Sequence, residues 1–374
     1  MPHLYLHIPF CRQACHYCDF HFSTSQQRRA EMADALIAEI AMRKTELPQV
    51  PLETIYFGGG TPSLLTNDEL QRIFDAVAEH FSIAPDAEIT LEANPDDLTE
   101  QYLRMLRHTP VNRLSIGIQS FRDEDLQLMN RAHSAADAKR VVQRAQDAGI
   151  TNLSVDLIYG IPGLSNNDWL RNLDEAFSLG MQHLSCYNLT VEPKTALAWQ
   201  VAKGFVRDID EKACEQQFIL LTERAADAGF LHYEISNFAQ PGWEARHNSS
   251  YWKNEAYLGI GPSAHSYDGN LRRHNIANNS EYLRLIESKK TAATIEELSD
   301  AERYNEFVLT RLRTSWGIED AELNARFPDF AAAFRNEAGP WLRSGDMRFE
   351  NGNWYLTPAG KLLADRIAAA LFVV

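Results

Sequence analysis

Six short runs of strand character recur along the first half of the chain, each followed by a helical stretch. The runs are Leu4–Ile8, Thr54–Phe57, Glu88–Ala93, Arg113–Ile118, Leu153–Ile158 and Leu184–Leu189. Helical spacing predicts helices over Arg28–Glu46, Asp68–Phe81, Glu100–Arg107, Ala136–Ala148, Asp168–Leu179 and Glu211–Ala228. Asn67 reads as the N-cap of the second helix, and Gly149, Gly180 and Gly229 as C-terminal stops. Repeated strand–helix units imply an α/β protein with a parallel sheet.

Alternation within the strands adds a second message. Leu4, Leu6 and Ile8 alternate with His3, Tyr5 and His7, and Ile89, Leu91 and Ala93 with Glu88, Thr90, Glu92 and Asn94. Leu114, Ile116 and Ile118 alternate with Arg113, Ser115, Gly117 and Gln119, and Leu153, Val155 and Leu157 with Asn152, Ser154 and Asp156. A period of two sends these sets to opposite faces. A sheet covered on both sides reads as continuous apolar runs, and a closed barrel packs its lumen with branched apolar side chains. One apolar and one polar face imply an open barrel whose interior holds a large polar ligand. Glu92, Gln119 and Asp156 fall toward the C-terminal ends of their strands, where barrel active sites are built.

From about Ala239 the periodicity weakens, and Pro241–Asn278 is rich in Gly, Asn, His and aromatics. Asp300–Leu312, Glu319–Phe327 and Ala331–Arg343 read as helices, Asn351–Gly352 as a hairpin turn, and Pro358 as the opening of a last helix. The expected units are a barrel over 1–235, a bridging segment over 236–295, and a mainly helical, winged-helix-like unit over 296–374. That last unit carries 9 basic and 13 acidic residues from Ile295 to Val374, which disfavours DNA binding.

The 374 residues hold 36 basic and 51 acidic side chains, a net charge of −15. That balance argues against a general nucleic-acid or anionic-membrane binder. No run approaches the ~18 unbroken apolar residues of a membrane span. The opening MPHLYLHIPFC has no basic stretch, so no signal peptide is expected and the chain is placed in the cytoplasm. Transient contact with a membrane protein stays open. Five cysteines, three of them within eight residues, do not make a disulfide framework.

Cys11-x3-Cys15-x2-Cys18 directly follows the first strand. Three thiolates this close can hold three corners of a [4Fe–4S] cube and leave the fourth iron free. Zinc is the rival, with His16 or His21 as a fourth ligand, but no second Cys-x2-Cys knuckle exists in the chain. Cys186 and Cys214 read as packing residues. The cysteine spacing, with Tyr17 before the last Cys, resembles the signature of the radical S-adenosylmethionine (SAM) superfamily. That resemblance implies a partial (β/α)6 barrel, a [4Fe–4S] cluster and SAM. In that superfamily the open iron chelates SAM, and an electron from the cluster, supplied by a donor, cleaves it to a 5′-deoxyadenosyl radical.

Gly58-Gly59-Gly60-Thr61-Pro62 ends the second strand. In isolation it is equally a tight strand-to-helix turn; beside the cysteine motif it resembles the glycine motif that holds the methionine part of SAM. By the same resemblance Glu92, Gln119, Arg131 and Asp156 match polar SAM-site residues, and Tyr5 a tyrosine near the cluster. Glu92 can equally pair with Arg113, and Arg131 can equally be an ordinary surface residue.

Leu-Tyr-Leu-His-Ile-Pro-Phe-Cys and Gly-Gly-Gly-Thr-Pro-Ser resemble the branch that contains oxygen-independent coproporphyrinogen III dehydrogenase and the HemW-type heme chaperones, over nearly the whole chain. The dehydrogenase carries a fourth cysteine where this chain has Phe20, and a long segment before the first strand. His247-Asn248-Ser249-Ser250-Tyr251-Trp252 resembles the chaperone branch's His-Asn-x-x-Tyr-Trp heme motif. Imidazole is a common axial ligand of heme iron, and the aromatics offer flat surface to a porphyrin. A helix start capped by Asn248 is the plainer alternative. The resemblance implies a protein that takes up heme and delivers it to an acceptor apoprotein; oxidative decarboxylation of coproporphyrinogen III is the alternative.

Overall fold

The computed structural model describes residues 2–373. The six expected strands are β1 (His3–Ile8), β2 (Leu52–Gly59), β3 (Ile83–Ala93), β4 (Arg113–Gln119), β5 (Leu153–Tyr159) and β6 (His183–Asn188). They lie parallel and side by side in chain order. Antiparallel strands then extend the sheet beyond β6, through β7 (Leu231–Glu234) and β8 (Asn237–Ala239). On the other edge β9 (Tyr257–Ile260) runs parallel to β1, followed by antiparallel β10 (His265–Tyr267), β11 (Leu271–Asn275) and β12 (Ala293–Glu297). The sheet therefore has twelve strands, in the order β12-β11-β10-β9-β1-β2-β3-β4-β5-β6-β8-β7, with both ends open among the described residues. The weakly periodic stretch Pro241–Asn278 is thus no loop: it supplies a short helix, Arg246–Trp252, and three strands.

Alternation decides the layering. Leu4, Leu6, Ile8, Leu91, Leu114, Ile116, Leu153, Val155 and Leu157 are sealed in the core beneath the helices. Their polar neighbours line the inner face, and even there His3, Thr54, Thr90, Arg113, Ser154 and His183 are buried. The second helix, Asn67–His80, begins one residue earlier than expected. Its cap is Thr66, whose hydroxyl accepts from the Glu69 backbone N–H while the Glu69 carboxylate accepts from the Thr66 N–H. This reciprocal box satisfies two otherwise orphaned donors and outcompetes Asn67. Gly149, Gly180 and Gly229 take positive φ of 84°, 68° and 80° after their helices, as expected.

A second core sits in the C-terminal unit, around Tyr304, Phe307, Leu323, Phe334, Trp354 and Ile367. There β13 (Ile318–Glu319), β14 (Met347–Glu350) and β15 (Asn353–Leu356) form a small antiparallel sheet. The β14–β15 turn is Asn351–Gly352, both at positive φ (52° and 83°), as a two-residue primed turn demands. The last helical stretch opens at Pro358, capped by Thr357, and resumes over Ala364–Ala370.

Candidate cofactor site

The loop after β1 carries Cys11, Cys15 and Cys18, all free and half-buried. Two of them accept hydrogen bonds from separate segments of the chain. Thr61, just past β2, donates its hydroxyl to Cys11 Sγ at 3.3 Å, and Arg131 donates to Cys15 Sγ at 3.2 Å. Asn94, at the end of β3, ties these donors together. Its amide donates to Thr61 Oγ1 at 3.2 Å, and its oxygen accepts from Arg131 at 2.5 Å. Arg131 also donates to the Gly117 carbonyl at 2.7 Å. Arg131 is therefore no free surface residue. Asn94 went unrecognised as a site residue in the sequence, although its place two residues after Glu92 on the polar face was a usable signal. Tyr17 is half-buried beside Arg131 and Cys15. His16 does not face the thiols: its Nδ1 donates to the Leu128 carbonyl at 2.8 Å.

The donor set suits a cluster. Among the described residues no three His, Cys, Asp or Glu side chains converge as one metal ion requires. A cube instead takes one thiolate per iron, which three thiols spread over a single loop can supply. Burial pushes the Cys11 and Cys18 thiols up to about 11. Without a metal they stay protonated; binding a cluster would require them as thiolates, which Thr61 and Arg131 are placed to stabilise.

The glycine run has a different reason at each position. A side chain on Gly58 would strike Tyr5, Tyr56 and Glu92; one on Gly59, at φ +108°, would strike His7; one on Gly60 would strike the backbone of Ile8 and Phe10. Close approach to the aromatic inner layer and to the cysteine loop thus excludes a Cβ. Glu92 lies on the inner face, accepting from the Tyr56 hydroxyl at 2.8 Å. Burial pushes its carboxyl up to about 7. Asp156 accepts from Ser115 at 3.2 Å and is pushed up to about 6 by burial. Gln119 sits at φ +70°, where the β4–β5 register shifts, with its amide beside Gly117. The buried guanidinium of Arg113 leaves Nε and Nη2 without a partner on this face, which suits a polar ligand or water.

Tyr5, His7, Gly59 and Glu92 open onto a cavity of about 700 Å³ whose rim holds Asp19, Phe20 and His21 of the cysteine loop. Its opposite wall is Tyr251, Tyr257, Tyr267 and Leu309. Gln119 and Asp156 share the inner face but do not line this cavity. His7 is satisfied: its Nε2 donates to the His21 carbonyl at 2.9 Å, and the Tyr5 hydroxyl lies 3.2 Å from Nδ1.

His247 plugs the N-terminal end of the lumen. The Glu88 carboxylate accepts from the backbone N–H groups of Arg246 and His247, so Glu88, not Asn248, holds the start of this helix. Both ring nitrogens of His247 are occupied, Nδ1 by Thr54 Oγ1 at 2.6 Å and Nε2 by the Tyr251 hydroxyl at 2.8 Å. Tyr56 stacks on the ring at 4.9 Å. Tyr251, four residues on and so on the same helix face, separates His247 from the cavity. Trp252 turns the other way, with the Arg313 guanidinium 5.7 Å from its ring. Asn248 is half-buried.

A six-stranded parallel array with a three-cysteine loop after its first strand is the architecture of a radical SAM protein. Residues 5–176 match the model of the Radical SAM superfamily, and residues 298–363 that of the HemN C-terminal domain. The chain is 36% identical over 373 residues to the heme chaperone HemW of Mycobacterium tuberculosis, covering 98% of this chain and 94% of that one. It is 33% identical to the heme chaperone HemW of Bacillus subtilis, covering 99% of both. The chain belongs to the HemW family of the radical SAM superfamily. Its fold is also that of the radical SAM enzyme coproporphyrinogen III oxidase (HemN) of Escherichia coli, at a TM-score of 0.83 and 24% identity, over 100% of this chain and 90% of that one. No helix of the described residues is long and apolar enough to cross a membrane.

Proposed function

We propose that this protein binds a [4Fe–4S] cluster, SAM and heme, and delivers heme to an acceptor apoprotein. Cys11, Cys15 and Cys18 hold the cluster, with Thr61 and Arg131 stabilising the thiolates. Tyr5, Tyr17, Gly59, Gly60, Thr61, Glu92, Gln119, Arg131 and Asp156 form the surroundings of SAM. The cluster, when bound and reduced by an electron-donor protein, supplies one electron to SAM. Heme occupies the cavity between the cysteine loop and the motif His247, Asn248, Tyr251 and Trp252. His247 becomes an iron ligand once Tyr251 leaves Nε2. The reducing cytoplasm suits thiolate-held iron.

What supports this reading most is that one cavity carries both the cysteine-loop rim and Tyr251, the wall over His247. Decarboxylation of coproporphyrinogen III is the second reading, favoured by the shared HemN-type fold. Phe20, 70% exposed, stands where the family resemblance implies that enzyme's extra cysteine. Anaerobic protein given coproporphyrinogen III, SAM and a chemical reductant should release no carbon dioxide. Heme-loaded protein should pass heme to an apo-cytochrome. Carbon dioxide release without heme transfer overturns the proposal.

A further inference from the structure

Four hydrogen bonds run in line from Tyr251 through the buried inner face to Glu255, and both end residues line the cavity. Tyr251 Oη lies 2.8 Å from His247 Nε2, and His247 Nδ1 lies 2.6 Å from Thr54 Oγ1. Thr54 Oγ1 lies 2.9 Å from His3 Nδ1, and His3 Nε2 lies 2.7 Å from the Glu255 carboxylate. The far end sets the direction of the whole chain. An ionised carboxylate only accepts, so His3 donates from Nε2. A neutral His3 then accepts at Nδ1, and the Thr54 hydroxyl donates to it. Thr54 has one proton, so its remaining contact is as acceptor, and His247 donates from Nδ1. The lone pair of a neutral His247 is left on Nε2, facing Tyr251. Both imidazoles are buried, where a charged ring would be costly, and each turns one nitrogen to a hydroxyl, so both are assigned as neutral.

We propose that Glu255, His3 and Thr54 are positioning residues that fix His247 in the tautomer with its lone pair on Nε2, and that the Tyr251 hydroxyl latches that nitrogen until heme arrives. The inference rests on the reading of His247 as a heme ligand. Histidines that bind metals generally donate their other ring N–H to an oxygen, which sets the tautomer and raises basicity. Here that oxygen is Thr54, which is fully buried, as His247 and His3 nearly are. Tyr56, stacked at 4.9 Å, and Tyr251, edge-on at 5.0 Å, stop the ring from turning to exchange its nitrogens. Tyr251 covers the lone pair with its hydroxyl and lines the cavity itself. Rotating one phenol side chain exposes the ligand without disturbing the sheet.

Heme titrations followed by the Soret band test this, using cluster-loaded protein with iron and sulfide content as the check on folding. Thr54→Val keeps the shape and removes the hydroxyl; heme affinity should fall about tenfold or more, with a shifted Soret band. Thr54→Ser should restore both. Tyr251→Phe removes the latch and should raise affinity or the rate of binding several-fold. Should Thr54→Val fail to hold its cluster, Glu255→Gln, at the half-buried end of the chain, should shift the Soret band and weaken binding. Wild-type affinity and spectrum in Thr54→Val, or in Glu255→Gln where it substitutes, overturn the relay, and a Tyr251→Phe that binds heme no faster and no tighter overturns the latch. His247→Ala separates the two levels. If it binds heme as the wild type does, the ligand reading beneath the inference fails; if it loses heme while Thr54→Val does not, only the relay fails.

Discussion

Replacing Gly60 with Ala isolates one steric term at the junction between the glycine run and the cysteine loop. A Cβ there would lie 2.7 Å from the Phe10 carbonyl oxygen, 2.9 Å from the Ile8 carbonyl oxygen and 2.9 Å from the Phe10 nitrogen. All three are backbone atoms, so no side chain can swing aside. Gly60 is not in the left-handed region, so Ala carries no conformational penalty there. The Gly60 N–H also donates to the Ile8 carbonyl at 2.9 Å, which pins the two segments together. Relief requires the chain at Phe10 to move, and Cys11, next in line, is itself tied to Ser23 by a 3.0 Å backbone bond. Overpacking of this kind costs about 1–3 kcal/mol. The urea midpoint should fall accordingly, and iron and sulfide bound after anaerobic reconstitution should fall with it. Gly163→Ala is the control: it has φ +91° but nothing within 4 Å of a Cβ. It should lose about 1 kcal/mol through backbone strain alone and keep its iron. A Gly60→Ala protein with the wild-type midpoint and full iron would falsify the steric argument.

Ala at Cys11, Cys15 or Cys18 should abolish most iron and sulfide binding, whereas Ala at Cys186 or Cys214, both buried in packing positions, should leave it intact by chemical assay. Arg131→Lys keeps the charge but loses the fork that serves Cys15, Asn94 and Gly117; about 1–3 kcal/mol of stability and faster loss of iron in air are expected in thermal melts and iron release. Glu92 is raised to about 7 from the ordinary 4.5. The folded state therefore holds this proton more tightly than the unfolded one, and ionisation destabilises the fold as pH rises from the unfolded value through about 7. Glu92→Gln should accordingly stabilise by up to about 3 kcal/mol above pH 7 and lose that gain below about pH 4.5, read from urea midpoints across pH. A gain that does not change with pH contradicts the assignment.

Local periodicity made much of this legible. Alternation in Leu4–Ile8 and Glu88–Ala93 placed Tyr5 and Glu92 on the inner face because a strand has no other way to separate apolar from polar residues. The Thr66 cap was hidden because Asn67 is an equally good capping residue, and only the reciprocal bond to Glu69 decides between them. Strands β9 to β11 were invisible. Each spans three to five residues, and His, Arg and Gly replace the β-branched residues that signal a strand; pairing along β1 and between neighbours holds them instead. Arg131 had no periodic support because it sits in the irregular chain between two helices, where only tertiary contact brings it to Cys15. His247 was legible as a residue of interest, but not its burial. That burial depends on Glu88, Thr54 and His3, all far from it in sequence.

The proposed function requires one cavity to serve both an iron–sulfur loop and a heme. A titration of heme into anaerobically reconstituted wild-type protein tests it most directly, following the cluster absorbance and the Soret band in the same sample. A saturable Soret band from a single class of site is expected, with the cluster retained throughout. Heme that binds without saturation, or only after the cluster has been lost, contradicts it.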